Sequence, residues 1–227
     1  MKRYFAALVV SLALCGMATA AQTIQTETFG GIPNLTDTLT FDEFDDLGGT
    51  LILLSIQVLV DLDVSGGTLT LDNDAATPAS GAFEFGAKGD ISSSDVSLLD
   101  AAFQPVTAEV EALTTGAFAL DPNIGDVSGD FDSSGPDGML INGGVVAVGD
   151  SGYIASALFG QYTGLGTFDV DVDVTQWSDF GGVSGIEYAV TPLTAGGEVT
   201  VIYNYIPEPA TMSLLGLGAL ALIRRKR

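Results

Sequence analysis

Histidine is absent from this sequence of 227 residues, and cysteine occurs once, as Cys15. Without histidine, the usual general base near neutral pH and the commonest zinc ligand are both missing. Cys15 lies in an N-terminal apolar run, so the rest of the chain has no disulfide, no thiol nucleophile and no cysteine metal site. Bases are scarce too. Of the seven Lys and Arg residues, six sit at the ends: Lys2 and Arg3, then Arg224, Arg225, Lys226 and Arg227. Between residues 21 and 206, Lys88 alone stands against 28 carboxylates, a formal charge of −27. Such a surface repels phosphate backbones and anionic lipid, which excludes nucleic acid as a partner, and it attracts cations. It also favours solubility. The charge does not imply disorder, because the hydrophobic fraction is 47% and leaves ample apolar surface to bury.

The two ends stand apart from the fold. Lys2 and Arg3 precede an apolar run from Tyr4 to Met17, and Ala18-Thr19-Ala20 follows with small residues at signal-peptidase spacing. Residues 1–20 thus read as a secretory signal peptide cut after Ala20, with Ala18 and Ala20 as the recognition pair. A lipoprotein signal at Cys15 is disfavoured, because Leu14 is too large for the position before it. At the other end, Pro207-Glu208-Pro209 is followed by the uncharged run Ala210–Ile223 of 14 residues and then by four bases. As a helix the run spans about 21 Å, short of the ~30 Å hydrocarbon core, and bridges it only with snorkelling arginines and a thinned bilayer. The basic stop keeps the C-terminus cytoplasmic and the acidic segment outside. The prolines mark an extended, accessible junction. A plain tail anchor would account for the span but not for this junction.

Pro207-Glu208-Pro209-Ala210-Thr211, the short span and the arginine-rich end together resemble the PEP-CTERM sorting signal, over Ile206 to Arg227. That resemblance implies a Gram-negative host making extracellular polysaccharide, and recognition of the tail by an exosortase, a membrane protease-transpeptidase. The division is then signal peptide 1–20, acidic ectodomain 21–206 and sorting and anchor segment 207–227.

The ectodomain reads as short strands separated by Gly- and Asp-rich breaks. Thr50–Val64 is apolar, and Val58, Val60, Leu62 and Val64 alternate with Leu59, Asp61 and Asp63. Gly66-Gly67 before Thr68–Leu71 has the form of a hairpin turn. Further strands are expected at Gly144–Val148, Tyr153–Leu158, Thr167–Thr175, Gly185–Thr191 and Glu198–Tyr205, while Ser93–Leu113 is ambiguous and admits a short helix around Pro105. The expected class is all-β, an antiparallel β-sandwich, with a short C-terminal transmembrane helix. Leu39–Leu51, with its Phe41-Asp42 turn and Leu47-Gly48-Gly49-Thr50-Leu51, resembles the opening of the choice-of-anchor E family. Ala195–Tyr205, ending Tyr203-Asn204-Tyr205, resembles the last strand of that family, and Gly48-Gly49 carries one glycine more than its pattern. The resemblance implies a surface-anchored domain and supplies no catalytic motif.

Three acidic clusters are candidates for chemistry. Within Asp121–Asp137, the residues Asp130, Asp132, Ser134 and Gly135 match the first positions of an EF-hand loop, but Ile141 stands where its bidentate Glu belongs. A looser calcium loop at Asp126, Asp130, Asp132 and Asp137 remains a candidate, against a simply solvated acidic loop. Asp169, Asp171 and Asp173 alternate with valines, which places the three carboxylates on one strand face. Asp42, Glu43, Asp45 and Asp46 form an acidic loop. A glycosidase needs only two carboxylates, but 28 candidates single out no pair, and Trp177 is the lone indole platform. No serine-centred catalytic motif or phosphate loop is present. The chain is therefore expected to be a non-enzymatic, exported protein, handled by signal peptidase and exosortase. It would be held at the inner membrane as a precursor and delivered to the cell surface or to a polysaccharide, biofilm-type matrix in a structural or adhesive role, with calcium as the one candidate cofactor. The rival is a secreted polysaccharide hydrolase with paired carboxylates; a third reading is a periplasmic binding module.

Overall fold

A computed structural model describes residues 20–123, 131 and 133–208. The expected signal peptide before Ala20 and the tail from Pro209 onward, including Arg224, Arg225, Lys226 and Arg227, lie outside the described residues. No helix among the described residues is long and apolar enough to cross a membrane.

Among the described residues, nine strands form two antiparallel sheets: β1 Ala21–Gly31, β2 Leu35–Asp42, β3 Leu51–Asn73, β4 Ala79–Ser92, β5 Val110–Leu120, β6 Gly138–Asn142, β7 Val145–Tyr153, β8 Thr167–Asp179 and β9 Ile186–Pro207. One sheet runs β1-β9-β3-β6, with β7 also on β3; the other runs β2-β8-β4-β5. The expected all-β sandwich is the architecture found. Its core is the sum of the strands' inward faces. On β3 these are Ile56, Val58, Val60, Leu62 and Val64; on β8, Phe168, Val170, Val172 and Val174; on β9, Val199, Val201 and Tyr203. The alternation read at Val58–Val64 and Phe168–Val174 thus reports burial directly. Phe168 packs between Phe41, with centroids 5.7 Å apart, and Tyr162, edge-on at 5.2 Å. The Tyr162 hydroxyl donates to the Ser97 carbonyl at 2.9 Å, and burial pushes its pKa well above the ordinary tyrosine value.

The Gly66-Gly67 hairpin does not form. β3 runs straight through these glycines, and Thr68–Asn73 stays paired with Thr191–Ile186 of β9. Both glycines take positive φ, 73° and 70°, so they kink the strand rather than reverse it. The kink changes the phase: even-numbered side chains face inward up to Val64, and Leu69 and Leu71 face inward after it. Pro192, with no N–H to donate, lies opposite the kink, between the Gly66–Leu193 and Thr68–Thr191 rungs. The far edge of β3 is shared by β6 on Thr68–Asp72 and β7 on Gln57–Ser65.

The short helix that Ser93–Leu113 admits does not form. Ser93 Oγ accepts the N–H groups of Asp95 and Val96, as a helix start would. The chain then turns instead: Asp100 Oδ1 accepts from Ala102 and Gln104 N–H, Phe103 sits at φ 58°, and Leu99 bridges Pro105. From Val110 the segment enters β5. Two strand boundaries move as well: β7 ends at Tyr153, with a 3-10 turn at Ser156–Gln161, and the two expected C-terminal strands are one continuous β9.

Candidate functional site

The clearest functional feature is the exit of the chain. β9 ends at Pro207, which pairs with Leu51, and Ile206 pairs with Ile52. Glu208 N–H donates to the Thr50 carbonyl at 2.8 Å. The first two residues of the Pro-Glu-Pro motif are therefore part of the folded sheet; Pro209 lies outside the described residues. Just inside this exit the Tyr205 ring lies 5.0 Å from Phe44, which also contacts Tyr203 at 5.5 Å. Tyr203 is fully buried and its hydroxyl donates to the Asp42 carbonyl at 3.1 Å. Gln25 of β1 clasps the same backbone, donating to Asp42 O at 2.9 Å and accepting from Asp42 N–H at 2.8 Å. A concavity of about 320 Å³ opens beside the exit, and its lining includes Phe44, Leu47, Leu51, Tyr203 and Tyr205 together with Gln25, Asp42, Glu43 and Asp45.

The acidic loop 42–46 builds this rim. Asp45 Oδ1 accepts from Leu47 N–H at 2.8 Å and Asp46 Oδ1 from Gly48 N–H at 3.0 Å, the side-chain-to-backbone bonds typical of Asx turns. Glu43 Oε2 accepts from Gly166 N–H at 3.0 Å. Three of the four carboxylates in this cluster thus hold backbone in place.

Asp169, Asp171 and Asp173 do share the outer face of β8. Each accepts a hydroxyl hydrogen bond of 2.7 Å from β2: Thr40 to Asp169, Thr38 to Asp171 and Thr36 to Asp173. These pairs are also register partners, so a ladder of neutral donors solvates three like charges. Sequence reading saw the carboxylates and missed the threonines, although Thr36, Thr38 and Thr40 share the same period of two.

Of the candidate calcium ligands, Asp126, Asp130 and Asp132 lie outside the described residues. Asp137 is placed: its carbonyl accepts from Asn73 N–H at 3.0 Å. Asn73 is fully buried and donates through Nδ2 to Thr77 O at 2.9 Å and Asp121 O at 2.7 Å, so it staples both ends of that loop to the end of β3. Beside it, Asp72 pairs in register with Glu187. Charge repulsion from Asp74, then desolvation, a side-chain hydrogen bond to Asp74 and repulsion from Asp72 raise the Glu187 pKa above its ordinary value. Among the described residues, no group of three or more metal-ligating side chains converges. A second acidic surface, an open concavity of about 520 Å³, is lined by Asp61, Asp63 and Glu198 over Gly149 and Gly197.

Lys88, the lone base of the ectodomain, is fully engaged. It bonds Glu111, lies 3.7 Å from Glu109 and sits 4.0 Å above the centre of the Trp177 ring. The Glu111 bond, opposed by desolvation and aided by the charges of Glu111, Glu109 and Glu84, holds its pKa above the usual lysine value. Trp177 Nε1 donates to Glu84 at 3.2 Å.

Residues 206–227 match the family model of the PEP-CTERM protein-sorting motif. The match supports an exported protein made as a membrane-anchored precursor and sorted by exosortase. No curated protein matches the chain. Among solved structures, the infectious bursal disease virus Gx strain is similar at 13% identity over 92% of this chain, with a TM-score of 0.23. T=1 particles derived from that virus are similar at 12% identity over 89%, with a TM-score of 0.19. The chain spans 50% and 48% of the length of those two chains.

Proposed function

We propose that the sandwich is a non-enzymatic cargo domain, exported, trimmed by signal peptidase, held at the inner membrane of a Gram-negative cell and passed by exosortase to the cell surface or a polysaccharide matrix. There it acts as a structural or adhesive module. The observation that carries this reading is the continuity between β9 and the sorting motif: Pro207 is a strand residue and a motif residue at once. The sorted object is the sandwich itself, with no linker between domain and signal. The resemblance of Leu39–Leu51 and Ala195–Tyr205 to the choice-of-anchor E family agrees with it; these segments form β2, the rim loop and the end of β9. Calcium is the proposed cofactor, with Asp126, Asp130, Asp132 and Asp137 as its ligands. The carboxylates of the 42–46 loop and of Asp169, Asp171 and Asp173 carry turn and ladder bonds, which favours a structural role over paired acid and base.

The test is intact mass with both termini mapped, on protein recovered from native cells and medium. A start at Ala21 and a missing Arg227 on surface or matrix protein is the expected result. Membrane-bound protein retaining Arg227 would reduce the tail to a plain anchor. Turnover of a matrix polysaccharide, abolished by one Asp→Asn or Glu→Gln substitution, would replace the module with a hydrolase.

A further inference from the structure

The sorting motif is both the signal and the last rung of a sheet, and the two roles conflict. Clefts that process peptides take the chain in extended form, pairing with its backbone along an edge. Here Pro207 and Glu208 are held against Leu51 and Thr50, while the apolar run begins at Ala210. With the sheet closed, only Pro209 lies between folded domain and membrane-directed segment, about 3.6 Å of reach. The rim loop crowds the same place: Asp45 and Asp46 fix its turns, Leu51 N–H bonds Asp46 O at 3.1 Å, and Leu47 projects with 60% exposure.

We propose that Ile206, Pro207 and Glu208 are a latch, a strand end that must peel from Thr50, Leu51 and Ile52 before the motif is processed. The proposal rests on the exosortase reading of the tail. Peeling is cheap, because among the described residues β9 past the Ala21–Tyr205 rung is paired on the β3 side alone, and Ile206, Pro207 and Glu208 are all half-buried. Strand ends with few buried contacts open at low free energy. Peeling also has a built-in stop. Tyr205 is clamped on Phe44, and behind it Tyr203 is fully buried and bonded to Asp42. Opening to that stop frees residues 206–209, up to about 14 Å of extended chain. The sandwich stays folded while its signal is read, and the rate of processing follows the fraction of chains with the latch open.

The experiment is a reversible staple. Past Cys15 the chain has no cysteine, so an introduced pair joins unambiguously in an oxidising compartment. The double substitution Ile52→Cys/Ile206→Cys bridges the latch rung and leaves Pro207-Glu208-Pro209 intact. Thr26→Cys/Thr200→Cys, at a rung whose hydroxyls lie 2.8 Å apart, is the control staple far from the exit. Tail loss is followed by intact mass in a processing host. The expected result is that the latch staple slows loss of the tail at least tenfold, that a reductant restores it, and that the control staple is processed as the wild type. Restoration by reductant separates a closed latch from a misfolded chain. Processing of the latch staple at the wild-type rate would overturn the proposal and show the motif read along the free edge of residues 206–208. Equal slowing by both staples would overturn it too, since the effect would then not be local. A wild-type chain that keeps Arg227 in such a host removes the exosortase reading, and the latch with it.

Discussion

Ala21 faces Tyr205 across the β1–β9 ladder. The first strand therefore starts beside the place where the last one ends, and the expected signal-peptidase site adjoins the sorting motif on one rim. No chain has to cross the domain for both ends to reach the same bilayer. Blocking signal-peptide removal, with Ala18→Leu and Ala20→Leu, should leave a folded, protease-resistant sandwich that stays with the membrane even after its tail is removed. Proteolysis of isolated membranes checks this; a digested ectodomain would mean that β1 cannot pair while tethered.

Gly67→Ala should destabilise the fold by roughly 2 kcal/mol, from a positive φ and from crowding. An added Cβ would lie 2.9 Å from both Leu193 Cβ and Phe85 Cζ. Gly48→Ala, also at positive φ but with nothing within 4 Å, should cost less. Urea unfolding of the two variants side by side reads the difference.

Glu187 supplies a pH signature. Its folded pKa is raised by Asp74 and Asp72, so the folded state holds its proton more tightly than the unfolded chain does. The stabilisation is fully present below the ordinary glutamate pKa and is lost as pH rises through the raised value. Glu187→Gln should therefore raise the melting temperature at neutral pH, with the gain shrinking toward acid. A gain that does not change with pH would mean that Glu187 is not the titrating group.

Thr38→Val should remove one rung of the hydroxyl–carboxylate ladder at a cost of about 1 kcal/mol. Asp171→Asn should be near neutral, because relief of repulsion from Asp169 and Asp173 offsets the weaker acceptor. Equal losses from both substitutions would show that the charges are not in conflict.

Millimolar calcium should raise the melting temperature, since a ligand bound only by the native state stabilises it. Asp130→Asn with Asp132→Asn should abolish the rise. No shift with the wild type would end the calcium reading.

The sequence made some elements legible because one physical cause dominated them. Phe168–Val174 alternates because one face lies in the core, and the same cause makes Val58–Val64 readable. Gly66-Gly67 was legible as an interruption but not as a kink, because a glycine pair serves either geometry. The odd spacing from Val64 to Leu69 was the available clue. β9 was divided in expectation because Pro192 and Gly196-Gly197 look like breaks, yet β3 supplies a partner along its whole length. The helix within Ser93–Leu113 had a plausible start at Ser93, but a tertiary bond from Ala155 to Leu99 and local bonds joining Leu98 to Val106 and Asp100 to Gln104 took the backbone elsewhere. Of the acidic clusters, membership was visible and partnership was not. Neither Thr38 with Asp171 nor Asp72 with Glu187 is near in sequence, and register alone brings each pair together.

The long pairing of β9 with β3, from Leu51–Pro207 to Asn73–Ile186 and interrupted by the register shift at Leu53/Ser55 and the kink at Gly67, has a mechanical meaning. Ladder hydrogen bonds lie across the strands, so tension applied at the C-terminal end pulls along β9 and loads its rungs in parallel. Once the short stretch past Tyr205 has drawn out, further pull meets the whole length of two neighbouring strands in shear. A sandwich tethered by this end can carry load from its anchorage into its centre without unzipping.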